Sequence, residues 1–184
     1  MTTTRVSVLA SPRRDRDATL PARHTTMKNR ITHSRRSFGE SSSAFKDQPF
    51  YDETVCLLQS IRDQDFATLA ALCDDDFGIV DIGAARPIRT RAEWEQWFTT
   101  LFASLKGMNA VTDSVILDYQ GLKQGALGFG VLEFQQTLTV GPDVATVDCV
   151  ATIIWKLTPT GWREARWHAS VISSDIPTAL LLAA

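Results

Sequence analysis

One histidine is a candidate for proton transfer. His168 is the only histidine beyond residue 46, and imidazole is the side chain best suited to proton transfer near neutral pH. Arg166 and Ser170 stand two residues to either side of it, so in an extended strand all three lie on one face. His168 would then be the general base or acid, with Arg166 binding an oxyanion and Ser170 holding the ring or the ligand. The alternative is a structural histidine that ties its strand to a neighbour.

Further side chains are candidates to line a ligand site. Glu133 and Asp148 are carboxylates inside apolar stretches, where an acid must find a partner or face water. A pocket position, an ion pair with Arg166 and an exposed position all fit. Tyr119 offers a phenol to a ligand, or is an ordinary strand residue. Trp97 belongs either to the core or to the wall of a pocket.

No cofactor or metal motif occurs in the sequence. It has no G-x-x-x-x-G-K-[ST], no G-x-S-x-G and no H-E-x-x-H. The run Gly125, Gly128, Gly130 has the wrong order for dinucleotide binding, so a bend or bulge in a strand is expected there. Three widely spaced cysteines predict reduced, buried thiols in a cytoplasmic protein. The sequence therefore predicts chemistry without a cofactor or a metal.

The composition is ordinary, but the charge is divided. Of the 184 residues, 44% are hydrophobic, and no stretch approaches the ~18 uncharged apolar residues that a membrane span needs. Residues 1–46 carry ten basic and three acidic residues, a net +7. The remaining residues, 47–184, carry nine basic and eighteen acidic residues, a net −9. The tail and the body are thus expected to differ in structure.

Residues 1–46 are predicted to be a disordered basic tail rich in Ser, Thr and Arg, because their few apolar residues follow no helical or strand period. A cleaved organelle-targeting peptide and an arm for anionic surfaces are the alternatives. Nucleic acid is disfavoured as a partner, since aromatic residues are not interleaved with the arginines. One domain is predicted over 47–176, followed by a short apolar C-terminal tail at 177–184.

Three helices are predicted ahead of the long strands. One follows Pro49, and a second carries an apolar stripe over 66–73. Three aspartates at 74–76 are expected to end it, because acids oppose the macrodipole at a helix C-terminus, and a short strand follows over 77–82. The third helix begins at Thr90, which is spaced from Glu93 as in a capping box. Its apolar face is aromatic: Trp94, Trp97, Phe98, Leu101, Phe102 and Leu105.

From residue 111 the hydrophobic period changes from 3.6 to 2. Segments at about 111–120, 126–139, 144–157 and 161–173 are rich in β-branched and aromatic residues and are separated by Gly and Pro. Consecutive strands with short turns form an antiparallel meander. The predicted class is α+β, a curved antiparallel sheet wrapped around about three helices.

This order of elements resembles the nuclear transport factor 2-like superfamily, in its SnoaL-like branch. The resemblance covers roughly 48–175 and is sharpest at Gly161-Trp162-Arg163, with His168-x-Ser170 six residues after the tryptophan. It implies a cone-shaped pocket between sheet and helices. Members include polyketide cyclases, steroid isomerases, dehydratases, epoxide hydrolases and proteins that only bind or dimerise.

The resemblance also makes Asp81 a candidate catalytic base, because steroid isomerase relatives place a carboxylate in this region. Its neighbours Val80 and Ile82 would partly desolvate it. The alternative is a carboxylate that is exposed or paired with Arg86 or Arg89.

In such a fold, one face of the last strand looks into the cone and the other outward, where relatives commonly dimerise. We expect the polar face to look inward: Trp162, Glu164, Arg166, His168 and Ser170. The alternate residues then form a patch for a homodimer: Ala165, Trp167, Ala169 and Val171.

Two functional classes remain. One is a cofactor-independent isomerase, dehydratase or cyclase that moves a proton on a small, mostly apolar organic molecule. The other is a ligand-binding or dimerisation domain without turnover. A second titratable group aimed at His168 would favour the enzyme.

Overall fold

A computed structural model describes residues 43–81, 84 and 86–174. The basic tail up to residue 42 and the apolar segment 177–184 lie outside these residues, so the predicted domain boundaries stay predictions. None of the helices among the described residues has the length and apolar character needed to cross a membrane.

Two short helices begin the described chain. After a single 3-10 turn at Ser43–Phe45, α1 spans Tyr51–Arg62 and α2 spans Phe66–Leu72. The Asp65 side chain caps α2 by accepting a hydrogen bond from the Thr68 backbone N–H at 3.1 Å, which satisfies one of the free donors of the first turn.

The first strand includes the three aspartates that were expected to end a helix. β1 spans Cys73–Val80, and α2 has already ended at Leu72. Lys156, from a later strand that is not adjacent to β1, donates to Asp74 at 2.6 Å, and Arg166 lies 3.5 Å from Asp76. The helix therefore ends ahead of the aspartates as expected, but the strand begins at Cys73, four residues before the predicted start at 77.

The capping box of the third helix is present. α3 spans Arg91–Gly107, and the Thr90 hydroxyl accepts from the Glu93 backbone N–H at 3.2 Å. Glu93 in turn accepts from the Arg89 backbone N–H at 3.0 Å. The helix buries its aromatic face, with Trp94 fully buried and Phe98 almost so.

The remaining strands form the predicted meander. β2 spans Ala110–Gln124, β3 Leu127–Val140, β4 Asp143–Thr158 and β5 Gly161–Ser174. The sheet order is β1-β5-β4-β3-β2, and β1 runs parallel to β5. The α+β class and the curved, unclosed sheet around three helices are therefore confirmed, although the sheet is mixed and not purely antiparallel.

A break in register changes which side chains of β5 face the core. Ile154 pairs with Arg166, but the next residue of β4, Trp155, pairs with Glu164, so Ala165 is an extra residue in a β-bulge. Glu164 before the bulge and Trp167 after it are both buried.

Two glycines make room for the segment that leads into α1. A methyl group on Gly121 would overlap the Pro49 carbonyl, and one on Gly128 would overlap the ring of Phe50. That ring stacks on Trp155 at 5.7 Å between centroids and meets the edge of Trp162 at 4.9 Å. Gly128 therefore permits close approach of an aromatic ring, a role that differs from the expected bend.

We expect Gly128→Ala to lower the free energy of unfolding by about 1–3 kcal/mol, because the Phe50 ring has no room to move away. Urea unfolding would measure the loss. Gly107→Ala is the matched control: nothing lies within 4 Å of the added methyl group, and alanine favours a helix over glycine. Equal stabilities of the two variants would contradict this packing.

Candidate functional site

A cavity of about 460 Å³ lies between the helices and the inner face of the sheet. Most of its wall is apolar, and α3 and β5 contribute large aromatic side chains. The aromatic lining residues are Phe77, Trp94, Trp97, Phe98, Phe134 and Trp167. Such a space suits a small, mostly apolar molecule.

Two carboxylates interrupt this apolar wall, Asp81 and Glu164. Among the described lining residues none is Lys, Arg or His, and the other polar ones are Thr112, Ser114 and Gln136. A carboxylate inside an apolar wall must be stabilised by its contacts or lose its charge.

Glu164 is almost fully buried, with 2% of its surface exposed. Cys73 on the parallel strand β1 donates its thiol to Glu164 Oε2 at 3.3 Å. Desolvation is the main cause that raises the pKa of Glu164 to about 8, the Cys73 hydrogen bond opposes it, and the Asp81 charge adds to it. Glu164 is therefore mostly protonated at neutral pH.

Asp81 directly follows β1, beyond the pair of Val80 with His168. Trp167 donates its indole N–H to Asp81 Oδ2 at 2.8 Å. This bond holds the carboxylate in one orientation from the adjacent strand β5. Trp167 is itself fixed in the core, where its ring centroid lies 6.1 Å from that of Phe134.

The cavity opens towards the hairpin between β3 and β4. Of the partly exposed lining residues, four lie on strands near this hairpin: Thr112, Gln136, Leu138 and Ala145. The others are Ile61, Asp81, Trp97 and Leu101. Glu164 lies near the other end, where β5 pairs with the fully buried Trp155. Glu164 is thus the deep carboxyl of the cavity.

The inward orientation expected for the polar face of β5 is wrong beyond residue 164. Arg166, His168 and Ser170 are exposed and do not line the cavity. The bulge at Ala165 moves them to the outer face and places Trp167 and Ala169 inside. His168 therefore lies opposite the cavity.

Arg166 has a structural position on the outer face. Its guanidinium donates to the backbone carbonyl of Asp76, and to that of Ala165 at 2.6 Å. A methyl group on Gly78 would stand 3.1 Å from Arg166 Cδ, so the side chain crosses β1 where glycine leaves space. Arg166 ties the edge strand to β5.

The apolar patch expected on the outer face is also misplaced. Ala165, Trp167 and Ala169 are buried, with at most 8% of their surface exposed, and only Val171 is exposed. Apolar residues of β5 face the core because burial of their surface stabilises the fold.

The other predicted site residues divide between the cavity and elsewhere. Trp97 lines the cavity, as Asp81 does. Glu133 is exposed outside it, and Asp148 accepts from Gln135 at 2.9 Å. Tyr119 is buried and donates to the Pro49 carbonyl at 2.9 Å, and desolvation raises its pKa to about 12. Tyr119 thus holds the segment before α1 against the sheet.

The sequence analysis did not single out Glu164 and Trp167 as site residues. The apolar alternation from Ala165 to Ala169 was a usable signal, because apolar side chains of a one-sided sheet face its core. Among the described residues, no three His, Cys, Asp or Glu side chains come together in a way that would hold a metal ion.

The fold and the cavity identify the protein as a member of the nuclear transport factor 2-like superfamily. Residues 55–174 match the family model of the SnoaL-like domain, and the chain therefore belongs to the SnoaL-like family. The resemblance stated from the sequence is confirmed. A search of curated proteins finds no match.

Solved structures with the same fold differ in what they are named for. A candidate dehydratase of the NTF2-like family from Streptomyces avermitilis is 19% identical, with a TM-score of 0.58 over 65% of this chain and 91% of that one. A hexachlorocyclohexane dehydrochlorinase from Novosphingobium barchaimii is 10% identical, with a TM-score of 0.56 over 67% and 84%. The CaMKII hub homology domain of Chlamydomonas reinhardtii is 16% identical, with a TM-score of 0.53 over 64% and 90%. At these identities the likeness shows the fold alone.

Proposed function

We propose that this protein binds a small, mostly apolar organic molecule in its cavity and moves a proton on it without a cofactor. Asp81 is the base, Trp97 is part of the binding wall, and the deep carboxyl of Glu164 holds the polar end of the molecule. The observation that carries this proposal is the presence of two carboxylates in one apolar cavity of about 460 Å³.

The chemistry follows from the environment of the carboxylates. A base in an apolar cavity is partly stripped of water, so its charge interacts more strongly with a bound molecule than it would in water. The Trp167 N–H donates to Asp81 Oδ2 and so fixes the direction of the carboxylate that accepts the proton. Isomerisation, dehydration and elimination of a halide all begin with such a proton transfer.

Two relatives of the same fold support this class of reaction. One is named as a candidate dehydratase and the other as a dehydrochlorinase. Dehydration or dehydrochlorination by this chain is a proposal. His168 has no role in it, because its side chain lies on the outer face.

A general-base probe tests the proposal without knowledge of the natural substrate. 5-Nitrobenzisoxazole loses its ring C–H proton to a base while its N–O bond breaks, and the electron pair leaves on the phenolate oxygen. We expect wild-type protein to turn it over faster than an equal concentration of acetate, with saturation. A rate no higher than that of acetate, without saturation, would contradict a desolvated base in a binding cavity.

A second candidate function is assembly, which is favoured by the outer face of the sheet. Val80 and Val131 are each more than 40% exposed there, and the hub homology domain shares the fold. We propose that two copies of the chain pair through this face as a homodimer.

If so, the wild-type protein sediments as a dimer at micromolar concentration. Val131→Lys should shift it to the monomer, because a charge would be buried without a partner at the interface. Met108→Lys is the control, since Met108 is 50% exposed directly after α3 and does not belong to the sheet. A wild-type monomer at this concentration would rule the assembly out.

A further inference from the structure

The deep end of the cavity holds a carboxyl group in unusual surroundings. Glu164 is 2% exposed, and its one described hydrogen bond is to the Cys73 thiol, a weak donor. An apolar side chain at this inward-facing position of β5 would avoid the cost of desolvating a carboxyl group. A buried carboxyl that faces a cavity is a candidate partner for a polar group of the ligand.

The ionisable side chains that line the cavity in the described part of the chain are both acidic. Asp81 is the second carboxylate of the wall, and no described lining residue is cationic. The cations that act on the neighbouring Cys73 are Arg91 and Arg163. Arg91 pairs with Glu95 at 3.0 Å and lies over the Trp94 ring at 4.4 Å, and Arg163 donates to the Ala71 carbonyl. Neither guanidinium lines the cavity.

We infer that the polar group held at Glu164 is a protonated amine, so that the cavity takes a small hydrophobic amine. This inference rests on the proposed function and names its class of ligand. An ammonium group supplies the positive charge that the cavity lacks, and the aromatic walls attract it further through their ring faces. Asp81 remains nearer the opening, where it can serve as the base.

Binding of the ammonium group changes the protonation state of Glu164. The empty cavity keeps Glu164 protonated because its charge is desolvated and stands near that of Asp81. An adjacent ammonium favours the ionised carboxylate, so Glu164 gives its proton to the buffer as the amine binds. A neutral alcohol would accept a hydrogen bond instead and release no proton.

Three probes with the same carbon skeleton test the inference: 3-phenylpropylamine, 3-phenylpropan-1-ol and 3-phenylpropanoate. Isothermal titration at pH 7 should give an amine affinity at least about tenfold above that of the alcohol, and the weakest affinity for the carboxylate. The amine should release protons, which is measured as a dependence of the heat on the ionisation enthalpy of the buffer.

Glu164→Gln should bring the amine to within about threefold of the alcohol and abolish proton release, while alcohol binding is kept. Asp76→Asn is the control, because Asp76 is an exposed carboxylate outside the cavity. It should leave all three affinities unchanged. If the alcohol binds as tightly as the amine, the amine class is wrong and the binding cavity stands. If none of the probes binds and 5-nitrobenzisoxazole is not turned over, the proposed function fails as well.

Discussion

Asp81→Asn is expected to lower the turnover of 5-nitrobenzisoxazole by about 10²–10⁴-fold, because general-base assistance contributes a factor of this size. The amide keeps the shape of the side chain but cannot accept the substrate proton. It still offers an oxygen to the Trp167 indole N–H, so the fold should be retained. Initial rates under conditions of kcat/KM measure the loss.

The controls separate the base from a general effect of charge or folding. Asp76→Asn removes a carboxylate from the same edge of the sheet but outside the cavity, and it should retain the wild-type rate. His168→Ala should also retain it, since this imidazole lies on the outer face. A full loss in His168→Ala, with normal rates in Asp81→Asn, would reverse the assignment.

The second large effect concerns stability and pH at Glu164. Its pKa is raised from 4.5 to about 8 in the folded protein, mainly by desolvation. Between these values the folded state holds a proton that the unfolded chain has released. The contribution of Glu164 to the free energy of unfolding is thus fully present below about pH 4.5 and is lost as the pH rises through about 8.

Compared with Glu164→Gln, the wild-type protein should therefore lose stability by about 1.4 kcal/mol per pH unit in this window. The total difference should reach a few kcal/mol at pH 9 and change no further. Urea unfolding of both proteins from pH 4 to 9 measures it. Glu133→Gln, an exposed carboxylate on the outer face, provides the comparison. A difference between wild type and Glu164→Gln that is independent of pH would contradict a buried, protonated Glu164.

The parts of the fold that local sequence determines were predicted correctly. The capping box at Thr90 and the aromatic face of α3 depend on residues a few positions apart, and both are present. The four long strands and their turns follow from period and from glycine and proline. The family resemblance at the Gly161-Trp162-Arg163 segment is confirmed over 55–174.

Features set by distant residues were not predicted. The aspartates at 74–76 lie in β1, which pairs in parallel with β5, about ninety residues later in the chain. The bulge at Ala165 depends on the pairing of β5 with β4 and reverses the side-chain orientation from that point. Gly128 is required by a ring that comes from before α1.

At the candidate site, the bulge at Ala165 decides which residues of β5 face the cavity. Asp81 and Trp97 both line the cavity, a position that the sequence left open beside an exposed or paired carboxylate for Asp81 and a core position for Trp97. His168, Arg166 and Ser170 follow the bulge and face outward. Glu164 precedes it and faces inward, where the alternation rule alone had also placed it.

A ligand bound in the cavity touches a different set of side chains from a ligand bound on the outer face of the sheet. Intermolecular nuclear Overhauser effects between 3-phenylpropylamine and the labelled protein distinguish the two. We expect contacts of the phenyl ring with the indole protons of Trp97 and Trp167, and none with the imidazole of His168. Contacts with His168 and the outer face of β5, in place of the cavity, would contradict binding in the cavity.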